Sequence, residues 1–268
     1  MPYVETNGID TYYESRGEGR PVVFIHPVLS THQVWESQAE TLAKEYQIVT
    51  YDLRDHGESG FASGRYTSKA LASDLQELIE ALELEQPVIC GLSIGGFVAQ
   101  RHAVTYPGTA SGYVFANTTT PEMYTVEETL FQLQNRALSK ATTLVGAERM
   151  ADIQMKIAEF IRDEETLTNE ETHEQLPTPT DEQAERISYA LNHWKNESLD
   201  LSAVTEPVLY LYGADDRDIL QTHIGRLALD IEQFEAAEIP DAGHLANQQN
   251  PAAFTNRLRP FLEDQLKN

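Results

Sequence analysis

Pro87-Val88-Ile89-Cys90-Gly91-Leu92-Ser93-Ile94-Gly95-Gly96 is the stretch whose reading decides the fold. An apolar run leads into Gly91-Leu92-Ser93-Ile94-Gly95, and a helix-like segment follows over 97–106. A strand, then G-x-S-x-G, then a helix is the context of a nucleophile elbow. Glycine is needed on both sides of the serine, because a strand reversing sharply into a helix leaves no room for a side chain. The serine hydroxyl is then exposed on a strained turn. It lies at a helix N-terminus, where unpaired N–H groups favour developing negative charge. The pattern is short enough to arise by chance, so its weight depends on what the rest of the chain supplies.

On the N-terminal side, residues 3–6 and 10–14 alternate around Asn7-Gly8 and read as a hairpin. Residues 22–25 form a continuous apolar run ending at His26, which suits a strand buried on both faces. Helical spacing covers 34–46, a strand covers 47–52, a loop 53–66, and an amphipathic helix 68–84. Beyond the elbow, 112–117 reads as a strand. This alternation implies a mostly parallel sheet with helices on both faces, an α/β fold.

The rhythm then breaks. Between 118 and 204 the helical segments 126–138, 147–162 and 181–193 are predicted, with Leu176-Pro177-Thr178-Pro179-Thr180 as a breaker and no convincing strand. The α/β alternation resumes with a strand at 207–212, a helix at 219–229, a strand at 234–239 and a helix at 252–266. The expected organisation is a core of 1–117 and 205–268 interrupted by a helical insertion, 118–204, the size of a small domain.

An activated serine needs a base, and the base needs an orienting group. Gly213-Ala214-Asp215-Asp216 follows one late strand, and Asp241-Ala242-Gly243-His244 follows the last. In a parallel sheet, residues just past the strand C-termini collect along one edge, where ligands bind. Ser93, Asp216 and His244 are therefore expected to converge, in the chain order Ser, Asp, His. Asp215 and Asp218 compete with Asp216. Among the other histidines, His26, His56 and His102 sit in or beside core segments and are expected to bond to backbone.

The bulk numbers narrow the function classes. The 268 residues, 41% hydrophobic, can build one sizeable core. A single cysteine excludes an internal disulfide framework and a Cys-based zinc site. Asp and Glu number 43 against 19 Lys and Arg, a formal charge of −24 that disfavours nucleic acid and anionic membrane as partners. No apolar run is long enough to span a bilayer, and the first residues carry no signal-peptide pattern, so a cytoplasmic protein is expected. The acids spread along the whole chain. That surface repels itself in dilute salt and is screened in concentrated salt, which suggests a salt-rich, halophilic host.

Over nearly its full length the chain resembles the α/β-hydrolase-fold superfamily. The resemblance rests on His26 after a buried strand, Asp52-Leu53-Arg54-Asp55-His56-Gly57-Glu58-Ser59, Gly91-Leu92-Ser93-Ile94-Gly95-Gly96, Gly213-Ala214-Asp215-Asp216 and Gly243-His244. It implies a serine nucleophile Ser93, with the G-x-x-D spacing selecting Asp216 as acid and His244 as base. It also implies an oxyanion hole from the backbone N–H groups of Val28 and Ile94, and a cap formed by 118–204. Two departures stand out. Pro27 replaces the usual glycine after His26 and lacks an N–H. Asp55 stands where R-G-H-G is common, in a turn that favours left-handed backbone.

A serine nucleophile sets the chain apart from the superfamily's epoxide hydrolases and haloalkane dehalogenases, which use aspartate. The segments 28–35 and 114–118 look most like 3-oxoadipate enol-lactonases, and are also similar to small carboxylesterases and cofactor-free haloperoxidases. The implied activity is hydrolysis of a small-molecule carboxylic ester or lactone through an acyl-enzyme, with no metal or cofactor. A perhydrolase and a slow-turnover ligand receptor on the same fold are the alternatives. Trp35, Met123, Tyr124, Phe131, His193 and Trp194 are the candidates for lining the substrate pocket.

Overall fold

The computed structural model describes residues 2–122, 179–194 and 197–266. The expected helices 126–138 and 147–162, and the pocket candidates Met123, Tyr124 and Phe131, lie outside the described residues. The strands are β1 (Tyr3–Thr6), β2 (Ile9–Arg16), β3 (Pro21–Ile25), β4 (Gln47–Tyr51), β5 (Val88–Leu92), β6 (Gly112–Ala116), β7 (Val208–Gly213) and β8 (Phe234–Ile239). The described helices are α1 (Glu36–Leu42), α2 (Ser68–Ala81), α3 (Ile94–Thr105), α4 (Asp181–Trp194), α5 (Ile219–Asp230), α6 (Ala246–Gln249) and α7 (Pro251–Gln265).

One eight-stranded sheet runs in the order β1-β2-β4-β3-β5-β6-β7-β8. β1 with β2 and β2 with β4 are antiparallel, and every later pairing is parallel. Register follows the alternation of side chains across the pleat. Val22, Phe24, Val88, Cys90, Val114 and Leu209 face one side, where they pack with α1 and α7 residues such as Leu42, Leu258 and Leu262. Val23, Ile25, Ile89, Tyr113, Phe115 and Tyr210 face the other, against Leu71, Leu75, Val98 and Ala99 of α2 and α3. Both faces are dry, which is why these strands read as unbroken apolar runs and not as alternating ones.

Within the described residues the expected elements are present, with shifted ends. The single helix expected over 34–46 is a 3-10 turn (His32–Trp35) followed by the short α1. The β2–β3 turn packs against the segment just past α1: a Cβ at Gly17 would stand 2.3 Å from Ala43 O and 2.4 Å from Tyr46 O. Trp35, a pocket candidate, is a core residue among the described residues. It is wholly buried, with its ring 4.7 Å from Phe24 and 5.8 Å from Phe254, where burial of a large apolar surface holds it in the core. Among the described residues, no helix is long and apolar enough to cross a membrane.

Several contacts tie α4 and the residues after it to the core, among them an Arg65–Glu185 ion pair at 2.5 Å. The Arg186 guanidinium spans the buried Asp55 carboxylate at 3.0 and 2.7 Å. Trp194 stacks on Phe97 of α3, centroids 4.6 Å apart and planes 15° from parallel. Just beyond α4, Glu197 is ion-paired with Arg101 of α3 and accepts from Ser68 Oγ at the start of α2.

Candidate active site

Ser93 sits between β5 and α3 with φ +56° and ψ −113°, a backbone conformation that few non-glycine residues adopt. Two close approaches force it. A Cβ at Gly91 would lie 2.0 Å from Gly95 O, and a Cβ at Gly95 would lie 2.3 Å from Ile25 O on β3. The turn is then locked by its backbone. Ser93 N–H donates to Ala116 O at 2.9 Å, while Ser93 O accepts from Gly96 N–H at 2.9 Å and Thr118 Oγ1 at 2.8 Å.

The structure brings the three chemical groups together from three strand ends. His244 Nε2 lies 3.1 Å from Ser93 Oγ, and His244 Nδ1 lies 3.0 Å from Asp216 Oδ2. Asp215 and Asp218, the competing acids, are exposed. Convergence is possible because β7 runs tightly under the His244 loop: a Cβ at Gly213 would meet Ala242 O at 2.2 Å and Gly243 O at 2.3 Å.

The Asp216 side chain is 3% exposed. Burial works against its charge, but the hydrogen bond and charge of His244, then Asn117, then the Arg217 N–H, outweigh that and hold its pKa below the usual carboxylate value. Asn117 is a participant that sequence reasoning left without a role. Its Nδ2 donates to Asp216 Oδ2 at 2.7 Å and to Gly243 O at 3.2 Å, so one amide ties the acid to the histidine loop. Its position just past the end of β6, on the same sheet edge as the other groups, was the available signal.

Ile94 is the first residue of α3, so its N–H has no acceptor within the helix. Among the described residues no hydrogen bond is found from the N–H of Ile94 or of Val28. Val28 lies in a turn whose next residue, Leu29, has φ +54°. Pro27 keeps a use in this loop: its carbonyl accepts from His26 Nδ1 at 2.7 Å. His26 and His56 bond to backbone as expected, with His56 Nδ1 2.9 Å from Arg54 O. His102 does not, and contacts Tyr113 Oη at 2.9 Å and Gln76 Oε1 at 3.0 Å. Of the pocket candidates, Trp194 is buried against Phe97, one helical turn from Ser93. His193 is partly exposed and faces Glu197 at 3.4 Å.

A family model described as "alpha/beta hydrolase fold" matches residues 20–251. The chain belongs to the α/β hydrolase fold family. Within that family it is similar to 3-oxoadipate enol-lactonase 2 of Acinetobacter baylyi, 24% identical over 91% of this chain and 89% of the relative. It is also similar to a putative non-heme chloroperoxidase of Synechocystis, 25% identical over 98% of this chain and 100% of the relative. Among solved α/β hydrolase structures, a thermophilic esterase from Thermogutta terrifontis superposes with a TM-score of 0.82 at 26% identity, covering 99% of this chain and 98% of that one.

Proposed function

We propose that this α/β hydrolase cleaves small carboxylic esters or lactones through an acyl-enzyme on Ser93. The observation that carries the reading is the unbroken line Ser93 Oγ–His244–Asp216, with links of 3.1 and 3.0 Å. His244 Nε2 takes the hydroxyl proton as Ser93 Oγ bonds to the substrate carbonyl carbon. The carbonyl π pair moves onto oxygen, where the Val28 and Ile94 N–H groups receive it. Collapse expels the alkoxide, which leaves as the alcohol with the proton held on His244. Water, deprotonated by the same imidazole, then releases the acid. Asp216 holds the Nδ1–H tautomer and stabilises the imidazolium. Residues 118–204 are read as the cap that sets specificity, with Trp194 among its candidate substrate contacts.

The test is a panel of short-chain p-nitrophenyl esters and small lactones, with Ser93→Ala as control. Turnover that is lost in the variant supports the reading. Tight binding of one ligand without turnover would instead indicate a receptor. Peroxide-dependent halide oxidation in acetate would indicate a perhydrolase, the activity suggested by the chloroperoxidase relative. The −24 surface is read as adapted to a salt-rich cytoplasm. The midpoint of thermal unfolding should accordingly rise as KCl goes from millimolar to molar, and a flat response would contradict that adaptation.

Asn117→Ala should lower kcat by about tenfold with little change in KM, since Asp216 loses a charge-assisted hydrogen bond worth about 1.5–3 kcal/mol. The stability side has a definite sign. The folded pKa of Asp216 is depressed, so its contribution is full above the ordinary 3.8 and is lost as the pH falls through the folded value. The stability gap between wild type and Asn117→Ala should therefore close as acid unfolding is followed below pH 3.8.

A further inference from the structure

Val28 lies in the 26–32 loop, and that loop has little of its own to hold it. Pro27 lacks an N–H, Leu29 is left-handed, and no partner is found for the Val28 N–H among the described residues. Val28 packs against the core, and a pair of histidines ties the loop's two ends to consecutive residues just past β4. At the entry, His26 Nε2 accepts from Leu53 N–H at 2.9 Å. At the exit, His32 donates twice to one oxygen: its backbone N–H reaches Asp52 Oδ1 at 2.6 Å and its Nδ1 reaches the same atom at 2.9 Å. Asp52 is fully buried, and its other oxygen accepts from Glu58 N–H at 2.9 Å, so the anchor itself is fixed.

His32 is 6% exposed and lies between two carboxylates. Its Nε2 faces Glu14 Oε1 of β2 at 3.5 Å, and the Tyr12 ring packs 4.9 Å away. Glu14 is in turn paired with Arg16 at 2.7 Å. Burial opposes a charge on His32, but Asp52, then Glu14 and Glu58, outweigh it and raise its pKa above 6.5. The imidazole of His26 stays neutral, pushed down by burial and by His56. Nδ1 of His32 lies 2.9 Å from a carboxylate oxygen that can only accept, so the ring donates to Asp52 there.

We propose that His32 is a positioning residue for the oxyanion hole: by clamping the end of the 26–32 loop to Asp52, it holds the Val28 N–H where the tetrahedral oxyanion forms. The inference rests on the serine-hydrolase reading given above. It has a physical scale, because a displacement of about 1 Å at a reacting centre can cost about 10²-fold in rate. Losing one oxyanion donor outright costs about 10²–10³-fold.

The experiment compares His32→Leu, His32→Gln and His32→Asn in the ester assay. Each is also titrated with a trifluoromethyl ketone, whose adduct with Ser93 Oγ carries the oxyanion. Leu removes the side-chain donor while the backbone N–H stays, and Gln carries its amide past Asp52 Oδ1. Both should lower kcat by about 10–100-fold with KM within about twofold, and should weaken the ketone by the same factor as kcat. Asn places Nδ2 where Nδ1 stood and should recover activity to within about threefold. Gln is polar, so the comparison survives if the Leu variant does not fold. Unchanged kcat and ketone affinity in the Gln variant, a change confined to KM, or an Asn variant as impaired as Gln would each overturn the assignment. Ser93→Ala in the same assay separates the two levels. If it stays active, the serine reading fails; if it is dead while every His32 variant is fully active, only the positioning role fails.

Discussion

Ser93→Ala is expected to lower kcat/KM for an accepted ester by about 10⁴–10⁶-fold while leaving the protein folded. The substitution deletes one oxygen atom, the one 3.1 Å from His244 Nε2. Nothing else within the described residues can replace it as a nucleophile at that point. In the proposed mechanism the serine, histidine and aspartate act as a unit, so the loss is not expected to be additive. A Ser93→Ala/His244→Ala double variant should be no slower than the worse single one. The stability sign is separate from the activity sign. Ser93 is held at φ +56°, so Ser93→Gly, which relaxes that backbone, should be more stable than wild type by about 1 kcal/mol while equally inactive. Thermal unfolding and single-turnover kinetics on the same samples check both. Residual activity of Ser93→Ala within tenfold of wild type would remove the serine mechanism.

The largest expected effect on stability lies away from this site. Arg186→Leu should destabilise the protein by about 3–5 kcal/mol, because it leaves the Asp55 carboxylate buried without its cation. The Asp55 side chain is wholly buried, and its remaining partners are both neutral, the Ala62 N–H at 3.2 Å and the Tyr66 hydroxyl. The opposite deletion should cost less. Asp55→Gly removes the charge and places glycine at φ +63°, where it is unstrained. Arg186 then keeps Glu182, 3.7 Å away on the exposed side, and can extend toward water. The expected order of stability in urea is wild type, then Asp55→Gly, then Arg186→Leu. The double variant should recover part of the Arg186→Leu loss, since no buried charge is left over. An inverted order would mean that the pair matters through packing and not through the stranded carboxylate.

This pair also marks a limit of reading the chain as a string. Asp55 was visible as a departure from the R-G-H-G pattern, and the left-handed backbone it needed is what it adopts. That its carboxylate would meet an arginine 131 residues later was not visible. Trp35 was named as a pocket candidate, and its side chain packs against Phe24 and Phe254 in the core. His102 was expected to bond to backbone and is held by a tyrosine and a glutamine instead. Asn117 was read as the end of a strand and is the amide that joins Asp216 to the His244 loop.

What the sequence by itself determined is what local physics writes into neighbouring residues. Unbroken apolar runs specify strands covered on both faces, and Gly91 and Gly95 specify a reversal that no side chain could allow. Parallel strands then collect their C-terminal residues on one edge, which is why Ser93, Asp216 and His244 could be named together across 151 residues. The tertiary structure alone decided which side chain each polar group faces: Asn117 on Asp216, Arg186 on Asp55, His32 between Asp52 and Glu14. Those choices depend on distances between elements to within an ångström, set by how the whole core packs, and no periodicity in the chain encodes them.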